Sequence, residues 1–235
     1  MADDGLEPLL SALDIDPDRT PPAAADEPAV VSVGCPLADC DHDPGWLAAV
    51  GAAHIAVTTL GNRTWERHDG ERELGASLRQ VIADRAVAAV VVVGHTDCEV
   101  VADAYDRYCG ADPLTAADGS AQPTAAGVRA SLAPLDRVVA DAVENGVVDS
   151  ETPRRQAPHR LVEYNVVRNV AFLRDRLPST TVAGVVVDGA GVYGSFPGKQ
   201  YLVALDETTD PAALRARLPA DAQLSVGRLL SSAIR

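Results

Sequence analysis

Lysine is almost absent from this chain, since Lys199 is the only one among 235 residues. The other basic residues are Arg, and 34 acidic residues, of which 24 are Asp, give a formal net charge of −14 at pH 7. Nucleic-acid binding needs a basic face for phosphate contacts, so this composition argues against such a partner. Scattered Asp with so little Lys is instead typical of a surface adapted to high salt, where screening weakens the repulsion between like charges. A GC-rich genome, which favours Arg over Lys, would produce the same bias.

The chain also lacks any apolar run approaching the roughly 20 residues that a membrane-spanning helix requires. Its first residues, MADDGLEPLL, have neither the basic region nor the apolar region of a secretory signal peptide. We therefore expect a cytoplasmic protein that makes no contact with membranes.

In a reducing compartment, cysteines favour a metal site or catalysis over structural disulfides. The sequence contains Cys35, Cys40, Cys98 and Cys109.

Aromatic residues make up only 4% of the chain and hydrophobic residues 47%, so the core should consist mainly of Ala and Val. Short Val-rich runs alternate with helix-forming segments, which predicts an α/β fold with a central, mostly parallel β-sheet flanked by helices. We expect a single domain over 28–235, preceded at 1–27 by an N-terminal helical arm and linker that lies on the domain or on a partner chain. The predicted strands are 29–34, 54–60, 87–93, 181–187 and 201–205, and the predicted helices are 46–51, 71–85, 99–108, 128–144, 159–176 and 211–218.

Two of the predicted strands end in residues that bind metals. The first runs into Cys35, and the strand 87–93 is followed by Gly94, His95 and Cys98. If these strands are neighbours in a parallel sheet, the three side chains converge at its carboxyl edge, where such sheets carry their ligand-binding and catalytic residues. Two thiolates and one imidazole hold zinc in some catalytic sites, which keep the fourth position for water or substrate. Zinc lowers the pKa of its water to about 7 in enzymes that activate water. The alternative to a metal site is that these residues are structural, with a buried cysteine and a histidine that caps a helix.

The segment after His95 also predicts a helix start. Thr96 and Glu99 have the spacing of a capping box, so we expect the Thr96 side chain to cap the helix 99–108. The positive end of the helix dipole should favour the thiolate form of Cys98 over the thiol.

These motifs resemble those of the β-class carbonic anhydrases, in which one strand ends in Cys-x-Asp-x-Arg and a later one in Gly-His-x-x-Cys-Gly. The resemblance covers roughly residues 28–206. It implies Zn2+ held by Cys35, His95 and Cys98, and reversible hydration of carbon dioxide to bicarbonate by zinc-bound hydroxide. It also implies a homodimer or a dimer of dimers, with the arm draped over the neighbouring subunit. The matching segments are Gly34-Cys35, Leu60-Gly61-Asn62, Ala76-Ser77-Leu78, Gly94-His95-Thr96-Asp97-Cys98, Glu163-Tyr164-Asn165-Val166, and the strand 182–187 with Asp188 and Gly191.

The chain departs from this family at the Asp-Arg pair that follows the first zinc cysteine, where it has Leu37 and Asp39. In the family, this aspartate accepts a hydrogen bond from zinc-bound water or binds zinc itself, and a leucine side chain can do neither. One hypothesis is an active enzyme in which another side chain of the same loop orients the zinc-bound hydroxide. The candidates are Asp39, Asp41, His42 and Asp43, of which His42 could also carry protons.

A second hypothesis is a non-catalytic or gated zinc protein, in which Asp39 or Cys40 closes the fourth position on the metal. A third is a pocket for a substrate other than carbon dioxide, such as one of its sulfur analogues. Simpler alternatives also remain open, with His42 as a solvated loop histidine and Cys40 as a small buried hydrophobic residue. A nucleotide-binding domain is not favoured, because the turns after the strands lack Gly-x-Gly-x-x-Gly.

Overall fold

The computed structural model describes residues 29–36, 53–110, 125–194 and 196–230, with the backbone alone for 125–131. The strands are β1 (Ala29–Gly34), β2 (Ala53–Thr58), β3 (Trp65–His68), β4 (Glu71–Leu74), β5 (Val87–His95), β6 (Thr181–Asp188) and β7 (Lys199–Leu205). The helices are α1 (Ala76–Asp84), α2 (Glu99–Tyr108), α3 (Ala125–Glu144), α4 (Ala157–Arg176) and α5 (Pro211–Ala216), with short 3₁₀ helices at Leu60–Asn62 and Ala222–Ser225. None of the helices in these ranges is long and apolar enough to cross a membrane.

Some of the predictions fall outside the described residues. They are the arm over 1–27, the helix over 46–51 and the loop with Leu37, Asp39, Cys40, Asp41, His42 and Asp43.

Five strands form one sheet in the order β2-β1-β5-β6-β7. Four of them are parallel, and β7 pairs with β6 in the antiparallel direction at one edge. The central strand β5 is buried along all nine of its residues, which is why its sequence is a continuous apolar run without alternation. This arrangement confirms the predicted fold class. It also places β1 and β5 side by side, as the predicted convergence of the ligands requires.

Both faces of the sheet are covered, and successive residues of each strand alternate between two hydrophobic cores. On one face, Val31 and Val90 pack into a core shared with helices α1 to α4. On the other face, Val30 and Val91 pack into a core that includes Leu214 of α5. Burial of each such side chain stabilises the fold by about 1.5–3 kcal/mol, so the sheet edge that carries the site has a rigid support.

Helix α4 packs directly against the sheet at two strand positions that are glycines. A Cβ atom at Gly94 of β5 would lie 2.6 Å from a methyl group of Val166, and one at Gly184 of β6 would lie 2.7 Å from the same side chain. Real Cβ atoms do not approach this closely, so only glycine permits the contact. The close approach brings the polar residues of α4 next to the end of β5.

The prediction of one helix over 71–85 was wrong. Strands β3 and β4 instead form a two-stranded antiparallel hairpin, and α1 begins only at Ala76. The hairpin turns at Asp69 and Gly70, which have φ angles of 49° and 90°. An Asp-Gly pair with two positive φ values is the common signature of a tight hairpin turn, so this local signal was present in the sequence.

Candidate metal centre

The ends of two neighbouring strands carry two of the predicted ligands to the same edge of the sheet. Val33 of β1 pairs with Val92 of β5. Cys35, directly after β1, and His95, the last residue of β5, therefore lie next to each other. Cys98 follows three residues later and immediately precedes α2. The predicted convergence of the three side chains is thus found in the structure.

The donor atoms of Cys35, His95 and Cys98 all lie within 4.8 Å of one another. The three residues are only 1%, 4% and 4% exposed, so the group is shielded from water. Ligand atoms of a tetrahedral zinc ion, bound at about 2.0–2.3 Å, are about 3.3–3.8 Å apart, so small shifts would bring these donors around such an ion. The chemistry and the spacing of the donor set therefore fit zinc.

The two thiols of this group oppose each other's ionisation. A hydrogen bond with Cys35 raises the pKa of the Cys98 thiol well above its usual range, and burial adds to the shift. Hydrogen bonds from the backbone at Val100 and Val101 act in the opposite direction but are smaller. The backbone amides at the start of α2 thus lower the pKa of Cys98, in the direction expected from the helix start, but the neighbouring thiol and burial outweigh them. A bound divalent cation would reverse the balance, because a coordinating thiol loses its proton.

Thr96, between the predicted ligands His95 and Cys98, forms a hydrogen bond with each of its polar atoms. Its backbone N–H donates to the Val187 carbonyl at 3.0 Å, and its hydroxyl donates to the Asp188 carboxylate at 3.3 Å. The same hydroxyl accepts from the Ala190 N–H at 3.0 Å. Its carbonyl accepts from Nδ1 of His159 at 2.7 Å, which means that Nδ1 carries the proton. The segment between the two predicted ligands is thereby fixed to β6 and α4.

The predicted capping box is not formed. Cys98, and not Thr96, is the N-cap residue of α2, and the Thr96 hydroxyl is engaged with Asp188 instead of with the start of the helix. Asp188 is fully buried at the end of β6 and also accepts from the backbone N–H groups of Val192 and Tyr193, each at 2.9 Å. A long-range partner therefore outcompetes the local cap.

The sequence did not indicate these supporting contacts. His159 and Thr96 are 63 positions apart, and Thr96 and Asp188 are 92 apart, so no local spacing could relate them. In the sequence, Asp188 stands out only as part of the family resemblance. The one signal that the sequence offers is a short polar residue between the two predicted metal ligands, and its spacing predicts a helix cap instead.

The remaining histidines and cysteines of the described ranges do not join the ligand group. His54 is hydrogen bonded to Ser32 at 2.9 Å, and the side chain of His68 is 73% exposed beside Asp69. Cys109 is an exposed free thiol at the end of α2. The predicted catalytic residues Asp39, Asp41 and His42 fall in the part of the chain that the structure does not describe.

Comparisons with known proteins give matches at the level of structure. The sequence matches no protein-family model and no curated protein. A Coccomyxa β-carbonic anhydrase in complex with acetazolamide has a TM-score of 0.50 and 17% identity, over 85% of this chain and 82% of that one. The β-carbonic anhydrase CafA of the fungal pathogen Aspergillus fumigatus has a TM-score of 0.44 and 19% identity, over 81% of each chain. The β-carbonic anhydrase CcaA has a TM-score of 0.46 and 14% identity, over 70% of each.

The comparison with the Coccomyxa protein concerns the fold, since the two sequences are only 17% identical. The chain has an α/β fold like that of the β-carbonic anhydrases, with a mostly parallel central sheet flanked by helices. In this fold, the buried group of two thiols and one imidazole lies at the carboxyl edge of the parallel strands.

Proposed function

We propose that this chain is a zinc-dependent carbonic anhydrase that interconverts carbon dioxide and bicarbonate. The observation that carries the proposal is the buried convergence of Cys35, His95 and Cys98 at the end of two adjacent parallel strands. This donor set suits zinc and leaves one tetrahedral position for a small molecule. The likeness of the fold to a β-carbonic anhydrase supports the choice of substrate.

The residues of this chain have four tasks in such a reaction. Cys35, His95 and Cys98 would hold the metal, which when bound lowers the pKa of a coordinated water to about 7 and so supplies a nucleophile at neutral pH. Thr96, fixed by hydrogen bonds on all sides, would keep the spacing of the ligands constant. The walls of the site, buried among Val-rich strands, would exclude bulk water and accept an apolar substrate.

The fourth task is to orient the nucleophile and remove the proton that hydration releases. We propose Asp39 or Asp41 for the first role and His42 for the second, since a histidine exchanges protons near neutral pH. This assignment rests on their place in the loop that follows Cys35 in the sequence.

A second candidate function is a non-catalytic or gated zinc protein on the same fold. It is favoured by the residues after Cys35, where Leu37 and Asp39 replace the family's Asp-Arg pair. In this case Asp39 or Cys40 would close the fourth position, as in structural zinc sites with four protein ligands.

Stopped-flow measurement of carbon dioxide hydration by the zinc-loaded protein, in high salt, distinguishes the two candidates. Activity that is lost in Cys35→Ser and kept in Cys109→Ser would support the enzyme. The Cys109 thiol is exposed and separate from the ligand group, so its variant is a matched control. A wild-type rate no faster than that of Cys35→Ser would leave the non-catalytic function. A rate gain in the double variant Leu37→Asp with Asp39→Arg would identify the lost pair as the limiting defect.

We further propose a cytoplasmic homodimer or dimer of dimers, built from one domain over 28–235 with the segment 1–27 lying on the neighbouring subunit. Light scattering coupled to size-exclusion chromatography of the full chain tests the assembly. A mass of about twice or four times 24.5 kDa is expected, and a mass equal to one chain would contradict it.

A further inference from the structure

A backbone amide points at the sulfur of one proposed ligand. The N–H of Gly61, in the short helix Leu60–Asn62, donates to Sγ of Cys35 at 3.4 Å. Gly61 has a φ angle of 67°, and a Cβ atom at this position would lie 2.6 Å from the side chain of Leu135. The contact therefore depends on a left-handed turn that favours glycine, and it needs support from the surroundings.

Asn165 of α4 provides this support from the other side of the turn. Its Nδ2 donates to the Gly61 carbonyl at 2.8 Å and to Oδ1 of Asn62 at 2.5 Å. Nδ2 of Asn62 in turn donates to the Val93 carbonyl of β5 at 3.0 Å. Asn62 and Asn165 are 4% and 3% exposed, so these bonds are protected from water.

Two further residues fix the orientation of the Asn165 amide. Nδ2 of Asn169 donates to Oδ1 of Asn165 at 3.1 Å and to its carbonyl at 2.9 Å. Oδ1 of Asn169 accepts from both the N–H and the hydroxyl of Thr64, at 3.1 and 2.7 Å. Asn169 is fully buried and Thr64 is 1% exposed.

These hydrogen bonds form a series in which each asparagine accepts at its side-chain oxygen and donates from its side-chain nitrogen to the next residue. The backbone N–H of Thr64 can only donate, so it requires an oxygen at Asn169 that faces it. This choice turns the Asn169 amide nitrogen towards Asn165, and the Asn165 nitrogen towards Gly61 and Asn62. Reversing any one amide would place two donors or two acceptors against each other in a buried site, at a cost of roughly 1–3 kcal/mol for each unsatisfied group. The orientation is therefore set by the backbone at both ends.

We propose that Asn165 is a positioning residue for the metal site. Held in place by this series of hydrogen bonds, Asn165 keeps the Gly61 N–H against the Cys35 sulfur. The inference rests on the proposed function only in that Cys35 is a metal ligand. An N–H bond to a coordinating sulfur withdraws negative charge from it and fixes its direction, and such outer contacts tune both the affinity and the electronic character of metal sites. Asn165 would act on the metal through Gly61 and Cys35 without touching either the metal or the substrate.

The direct test uses the full chain loaded with ¹¹³Cd²⁺, a spin-active ion that replaces zinc at thiolate sites. A hydrogen bond to a coordinating sulfur transmits a scalar coupling, so we expect a ¹H–¹¹³Cd correlation at the Gly61 amide beside those of the Cys35 and Cys98 Hβ protons. The Gly61 correlation should disappear in Asn165→Ala, while the Hβ correlations persist. The affinity for Zn²⁺ in this variant should fall about 10–100-fold, as is typical for loss of an outer-shell partner.

Two variants separate positioning from general loss of a buried contact. Thr64→Val removes one buried hydrogen bond but keeps the backbone N–H that orients Asn169, so the Gly61 correlation should remain. Asn165→Asp keeps the shape of the side chain and replaces its donor by an acceptor, so it should lose the correlation, which keeps the test informative if Asn165→Ala does not fold. With Co²⁺ in place of zinc, the sulfur-to-metal charge-transfer band of either Asn165 variant should move to longer wavelength, because the sulfur regains electron density.

The outcomes distinguish this inference from the proposed function. Hβ correlations from Cys35 without a Gly61 correlation in the wild-type protein would overturn the inference and leave the metal site intact. A Gly61 correlation that persists in both Asn165 variants would also overturn it. Failure of the chain to take up Cd²⁺ would overturn the inference together with the metal site. A protein that shows the Gly61 correlation but does not hydrate carbon dioxide would support the inference and contradict the enzyme.

Discussion

Replacing Glu163 tests how the buried polar contacts behind the site are held. This residue of α4 is only 1% exposed, and its carboxyl group accepts hydrogen bonds from three donors of the protein. The Tyr193 hydroxyl and the Leu229 N–H donate to Oε2, both at 2.6 Å, and the Leu230 N–H donates to Oε1 at 3.3 Å. Glu163 thus joins α4 to the loop after β6 and to the last described segment of the chain. The same loop carries the N–H of Tyr193 that binds Asp188.

The Glu163→Ala variant leaves a buried hydroxyl and two buried N–H groups without their acceptor. Each buried donor that is left without a partner costs about 1–3 kcal/mol, and such costs are not additive within one network, so we expect a loss of about 3–5 kcal/mol in the free energy of unfolding. For a chain of this size that corresponds to a fall in Tm on the order of 10 °C. Urea unfolding followed by circular dichroism would measure the change.

Glu73→Ala is the matched control for this substitution. Glu73 forms an ion pair with Arg79 at 3.3 Å, and the two side chains are 44% and 60% exposed. Exposed pairs of this kind contribute about 0–1 kcal/mol. Equal losses of stability in Glu163→Ala and Glu73→Ala would refute the account of the buried carboxylate.

The pH dependence of stability gives a second test at the same residue. Burial raises the pKa of Glu163 above the ordinary 4.5, although the bonds from Tyr193, Leu229 and Leu230 oppose the shift. The ordinary pKa applies to the unfolded state and the raised pKa to the folded state. Between the two, the folded state holds a proton that the unfolded state has released, so the contribution of Glu163 to stability falls as the pH rises through this window. Wild-type protein should therefore lose stability relative to Glu163→Gln as the pH rises from about 4.5, reaching a constant difference above the folded-state pKa. Parallel stability curves would contradict the raised pKa.

Three further substitutions probe the support of the metal site. Gly94→Ala, whose Cβ would lie 2.6 Å from Val166, should cost about 1–3 kcal/mol by overpacking and should weaken zinc binding, as measured by unfolding and by competition with a chromophoric chelator. Thr96→Val should cost a similar 1–3 kcal/mol, because Asp188 loses a donor, and should lower the affinity for zinc; an unchanged affinity would contradict the role of this contact. Cys109→Ser should leave the zinc stoichiometry unchanged in elemental analysis, since its thiol lies outside the ligand group.

The sequence was most informative where a local signal and a long-range pairing agree. The residues before Cys35 and His95 are almost all apolar because both strands are buried on two faces, and this pattern predicts a parallel sheet whose edge gathers the candidate ligands. The hairpin of β3 and β4 was missed although Asp69-Gly70 signals it, because the apolar residues that follow suggested a helix.

Other features depend on contacts between residues far apart in the chain, which local spacing does not reveal. Thr96 has the spacing of a cap, but Asp188 offers its hydroxyl a fully buried partner, and the tertiary contact prevails. The bond from Gly61 to Cys35 was similarly invisible, since it depends on Asn165, 104 positions beyond Gly61.

X-ray absorption at the zinc K edge, on full-length protein loaded with one equivalent of Zn²⁺, tests the central claim that Cys35, His95 and Cys98 hold the metal. We predict two sulfur neighbours at about 2.3 Å and two nitrogen or oxygen neighbours at about 2.0–2.1 Å, one of them an imidazole. The Cys98→Ser variant should lose one of the two sulfurs. Zinc surrounded by oxygen and nitrogen alone, or a wild-type spectrum that is unchanged in Cys98→Ser, would contradict the account.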